Sequence, residues 1–132
     1  MAESPANLDD LVRGIASEIG ATEAAAFSVK PDFFDGHQLD PLLHIRRDNP
    51  DAATRAAAVA AFKEILTPCV QQAKDGAVEI GSWDGQRRQY CLVTLARRGE
   101  TVAGAVAFIV RCRDEQDADI LLRRVQRAAS GF

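Results

Sequence analysis

The chain has 132 residues, 47% of them apolar and 27% charged, and a formal net charge of −3. That length buries one core without disulfide or metal staples, and the composition excludes a chain dominated by disorder. An isoelectric point near 5.3, with acids and bases mixed along the chain, speaks against a nucleic-acid binder.

The first predicted helix follows Ser4-Pro5, a cap with proline at the first helical position. Leu8, Leu11, Val12, Ile15 and Ile19 share one face at the 3.6-residue period, and Gly20 is its expected stop. Ala24 to Val29 reads as a short strand ended by Pro31, and Asp32 to Pro41 as a loop. Leu42 to Arg46 reads as a second short strand. Asn49-Pro50 opens an alanine-rich helix carrying Val59, Phe62 and Leu66, after which Thr67-Pro68 restarts a second short helix closed by Gly76. Ala77 to Trp83 is a candidate strand and Asp84-Gly85 a turn. Arg88 to Ala96 and Thr101 to Cys112 form a hairpin around Arg97-Arg98-Gly99-Glu100, with apolar residues at successive positions, so both faces should be covered. The last helix starts near Asp114, buries Ala118, Leu121, Leu122, Val125 and Ala128, and runs from acidic to basic in the sense of the helix dipole. The terminal helices should pack on each other through Leu11, Val12 and Ile15 against Leu121, Leu122 and Val125.

This order becomes more specific at Tyr90 to Phe108, an apolar strand, a short basic-and-glycine turn, and a strand that opens on small residues before an apolar run. Arg113-Asp114-Glu115-Gln116-Asp117 then leads to Leu121-Leu122. In these segments, and in its opening helix and first strand, the chain resembles a GAF domain over nearly its whole length. The resemblance implies an α/β (α+β) fold over 1–132, a central antiparallel sheet with the terminal helices on one face and short helices on the other. It implies a ligand cavity between the sheet and the middle helices, and a non-catalytic sensor or regulatory domain, dimeric through its terminal helices. The chain departs from the pattern at Thr94, where GAF hairpins often carry proline. The asparagine-lysine-phenylalanine-aspartate-glutamate signature of cyclic-nucleotide-binding members is absent, and no cysteine sits in a bilin-attachment context. A ligand-free interaction module of PAS-like or roadblock-like fold is the alternative.

Tests for chemistry return little. Asp32 to Asp40 has three carboxylates and His37, without the alternating oxygens and distal glutamate of a calcium loop. The chain lacks H-E-x-x-H, G-x-S-x-G and the P-loop pattern. Cys69, Cys91 and Cys112 are odd in number and without C-x-x-C spacing, which fits reduced, buried thiols in a cytoplasmic protein. The polar start Met1-Ala2-Glu3-Ser4-Pro5 reads as no signal peptide, and the longest apolar run, 102–110, is too short to span a bilayer. No enzyme activity, cofactor, metal, membrane or nucleic acid is expected. A small-molecule ligand, a homodimer and an effector domain in a parent protein are. The candidate ligand-binding residues are His44, Phe62, Trp83, Arg88, Tyr90 and Thr94. Tyr90, Leu92 and Thr94 alternate onto one strand face, expected to look toward the middle helices, with His44 and Phe62 opposite. Val93 and Leu95 are expected to face the terminal helices, and Arg88 to stand at the mouth for an anionic ligand.

Overall fold

The computed structural model describes residues 8–32, 36–46, 48–72, 74–82, 88–98 and 101–130. In chain order the elements are α1 (Leu8–Ile19), β1 (Glu23–Asp32), β2 (Gly36–Arg46), α2 (Ala52–Gln72), β3 (Gly76–Ser82), β4 (Arg88–Arg98), β5 (Thr101–Cys112) and α3 (Glu115–Ser130). The strands form one antiparallel sheet in the order β2-β1-β5-β4-β3. The expected α+β class and central antiparallel sheet hold. The Ser4-Pro5 cap and Trp83 lie outside the described residues.

Two cores flank the sheet. On one face Leu11, Val12 and Ile15 of α1 and Ala118, Val125 and Ala129 of α3 bury Ala24, Ala26, Leu92, Val106, Phe108 and Val110. On the other, Phe62, Leu66, Cys69 and Val70 of α2 cover Ala25, Phe27, Cys91, Val93, Leu95, Ala105 and Ala107. The small side chains of β1 and β5 let helices approach the middle of the sheet closely. Gly104 shows how closely: a Cβ there would stand 2.7 Å from the Phe27 carbonyl oxygen and against the Leu8 side chain. The predicted α1–α3 pairing is present, although Leu121 and Leu122 are only partly buried and Val125 carries the seat. Gly20 ends α1 with φ of 68°, as its sequence position required.

Three boundaries differ from the sequence reading. β1 continues through Pro31 to Asp32 and pairs along its length with β2, so most of the expected loop is strand. β5 pairs with β1 only from Glu23 to Phe27. Past Phe27 one flank of β1 is open, and a proline there forfeits no ladder hydrogen bond. Pro41 sits on the edge strand β2, at the register shift opposite Ala26 and Phe27. The middle is one 21-residue helix running through Pro68 rather than two. Pro68 withholds the N–H that would bond the Glu64 carbonyl, on the exposed side of the helix, and in the same turn Thr67 Oγ1 donates to the Lys63 carbonyl at 2.7 Å. Gly76 begins β3 instead of closing a helix.

Asp51, rather than Asn49, caps α2: the Thr54 N–H donates to Asp51 Oδ1 at 2.7 Å. That backbone hydrogen bond holds the Asp51 carboxyl below its ordinary value. A carboxyl with a lowered folded-state pKa adds stability above its unfolded value, and loses it as the pH falls through the folded one. Asp51→Ala should therefore lower the melting temperature at neutral pH, with the gap to the parent protein narrowing in acid. A gap that stays constant from pH 7 down to the acid transition would refute the charged cap.

Candidate functional site

The structure splits the six sequence-predicted ligand residues. The alternation along β4 is as expected, but the layers are exchanged. Tyr90 and Leu92 belong to the α1–α3 core, Thr94 lies opposite Val106 of that same core, and Cys91, Val93 and Leu95 face α2. Periodicity separates the two faces of a strand without saying which helix covers each. Here α3 follows β5 almost directly, on the side where Val110 and Cys112 are buried. Tyr90 is therefore turned away from His44 and Phe62. Burial first, and then the Glu79 carboxylate, push its phenol above the ordinary value, against the opposing effect of Arg88. Arg88 is exposed and pairs with Glu79 across the β3–β4 ladder at 3.4 Å.

His44 and Phe62 do come together. Their rings meet edge to face with centroids 6.0 Å apart. β2 places His44 on the α2 side, opposite Ala25 of β1. Its side chain is only 3% exposed and makes two polar contacts. Nε2 lies 2.5 Å from Glu23 Oε2, and Nδ1 lies 3.0 Å from Arg55 Nη1, which also donates to the His44 carbonyl at 2.8 Å. Guanidinium has no acceptor, so Nδ1 must accept from Arg55. Nε2 then carries the proton and donates to Glu23. The imidazole thus fastens β2 to the first strand and to the opening turns of α2. Among the described residues no hydroxyl or thiol bonds either ring nitrogen, so the cluster presents no nucleophile–base pair.

Sequence reasoning missed Glu23 and Arg55. Each carried a signal. Glu23 stands directly before the apolar run Ala24 to Phe27, and Arg55 is the one charge within residues 52–61. It also missed Asp75, whose two carboxylate oxygens accept from the Leu95 N–H and from Gln126 Nε2, both at 3.1 Å. Asp75 thereby ties the start of β3 to β4 and α3.

Beside the cluster lies a cavity of about 210 Å³ between α2 and the sheet, walled by Ala58, Ala61, Phe62, Ile65, Ile80 and Ile109, with Glu23 as its one polar group. A second apolar hollow of about 310 Å³ continues along the same side from Ile65 past Pro68 to Val78 and Asp75. Together they form a groove between α2 and the edge strand β3. The thiols on this side are buried and held in the protonated form. Cys69 is pushed up to about 11, by burial and then Asp75, and Cys91 to about 12, by burial and then Glu23. All three cysteines are free. Among the described residues no group of three or more histidine, cysteine, aspartate or glutamate side chains is placed to hold a metal, and no helix is long and apolar enough to cross a membrane.

No protein-family model matches the chain, and no curated protein matches it.

Proposed function

We propose that this chain is a non-catalytic regulatory interaction module that self-associates through the outer side of α2 and the adjoining edge of β3. The observation that carries the reading is that the first half of α2 is apolar on both sides. Its inner side is buried, while Ala52, Ala53, Ala56, Ala57, Ala60 and Ala61 are exposed on its outer turns, before Lys63, Glu64, Gln71 and Gln72 make the second half polar outside. A helical segment apolar all round normally has both sides covered. Beside it, Val78 and Ile80 of β3 are 42% and 39% exposed. The terminal helices, the interface implied by the GAF resemblance, are mostly charged on their outer sides, with Asp9, Asp10, Arg13 and Glu18 on α1 and Asp119, Arg123, Arg124 and Arg127 on α3 exposed around the exposed Ile120. The exposed alanines run over residues 52–61, roughly 15 Å of helix, beside Val78 and Ile80 on the edge strand. The same patch meeting itself gives a closed two-fold dimer.

Sedimentation of the parent chain should show a dimer that Val78→Glu combined with Ala57→Glu converts to a folded monomer, its far-ultraviolet spectrum unchanged. Ile120→Glu, on the outer side of α3, should leave the dimer intact. A dimer disrupted by Ile120→Glu and untouched by the α2–β3 pair would move the interface to the terminal helices. A monomer at high micromolar concentration would defeat the self-association reading.

A second reading, the small-molecule sensor of the GAF-like expectation, draws its support from the cavity beside Glu23, His44 and Phe62. The cavity shares Ala61 and Ile80 with the self-association surface, so in such a dimer it lies at the interface.

A further inference from the structure

From the cavity between α2 and the sheet we infer a binding site for a small organic monocation, an alkylammonium whose charge meets Glu23 and whose chain fills the apolar walls. The inference rests on the sensing reading and gives it a ligand class. Five aliphatic or alanine side chains and the Phe62 ring line the space, and Glu23 is the sole polar residue among them. Pockets that recognise small molecules combine an apolar wall with few, fixed polar groups.

Glu23 is fixed. Its Oε2 accepts from His44 Nε2, and the opposite ring nitrogen is held by Arg55. Among the described residues its Oε1 takes no hydrogen bond. Arg55 is engaged by His44, and Arg46, which lies across the ladder from Glu23, pairs with Asp48 at 2.7 Å. Glu23 also contributes to the raised Cys91 value, so its charge is felt beneath α2. An ammonium N–H donated to a carboxylate makes a short, charge-assisted hydrogen bond. An anion would meet Glu23 with like charge, and a neutral alcohol would gain the walls without the pair. Liquid water takes about 30 Å³ per molecule, so the space admits a ligand of roughly five or six heavy atoms.

The probes are n-butylammonium, n-butanol and n-butyrate, titrated into the full chain and followed by backbone amide shifts. Butylammonium should perturb amides of Glu23, Phe62, Ile80 and Ile109 at saturation, and bind about tenfold or more tightly than butanol, the value of one such hydrogen bond. Butyrate should not bind. Glu23→Gln keeps an acceptor for His44 and should erase the preference of amine over alcohol. If butanol binds the same amides as well as the amine does, the cavity takes ligands but not by charge, and this inference falls while the sensing reading stands. If Glu23→Gln retains the preference, the charge is met elsewhere and the inference also falls. If none of the three perturbs those amides, both fall.

Discussion

Phe108→Ala should lower the unfolding free energy by about 3–5 kcal/mol, the range for emptying a buried aromatic site. Phe108 is fully buried on the α1–α3 side. Its cross-strand neighbours are Ala24 on β1 and Leu92 on β4. Alanine has no side-chain torsion with which to swing into the space, and Val12 and Val125 are β-branched and held on helices. The cavity left behind should therefore stay open, which places the cost toward the upper part of the range. A domain of this size commonly has about 5–15 kcal/mol in total, so the variant would keep a fraction of its stability. Urea titration should show a lower midpoint with an unchanged slope. A loss under about 1 kcal/mol would mean that the helices close on the gap, and that this core is looser than its burial indicates.

The second large effect concerns the polar cluster. Glu23→Leu leaves the His44 Nε2–H pointing at an apolar wall, and a lost hydrogen bond to a charged group costs about 1.5–3 kcal/mol. His44→Leu strands Glu23 instead and removes the Nδ1 acceptor from Arg55, which keeps the carbonyl of residue 44. The double variant should cost less than the sum of the singles, with a coupling of about 1–3 kcal/mol, because each single leaves the other partner unsatisfied. Glu23→Gln should cost little, since the amide oxygen still accepts. Additive single effects in urea unfolding would mean that the contact carries no energy of its own.

Most of the architecture was legible because the hairpin and terminal helices announce themselves through period and caps. Gly20, the Leu8-to-Ile19 stripe and the Arg88-to-Cys112 hairpin fall where their chemistry requires. The middle was harder for two physical reasons. Prolines 31, 41 and 68 read as breakers, yet each occupies a place where the missing N–H is tolerated, by an open flank, an edge strand or the exposed side of a helix. The layer that covers a strand face depends on connections between elements, which periodicity along one strand does not contain. The candidate site was half legible for the same reason. His44 and Phe62 meet because β2 and α2 lie on one side, while Tyr90 and Thr94 share a parity that puts them behind the sheet. Glu23 and Arg55 were passed over as single charges in apolar surroundings, and such charges are where a buried network begins.

The seam between β1 and β5 has a kinetic consequence. β1 and β2 make a local hairpin, and β3, β4 and β5 make a local meander, so each forms from residues near in sequence. Within the sheet the described strands of the two are joined where β1 meets β5, and there Thr22 donates to the Ile109 carbonyl 87 positions along the chain. Closing so long a loop is entropically unfavourable until both pieces have surface to bury against each other. The rate-limiting event in folding is then the docking of a hairpin on a meander, with α2 as the tether between them.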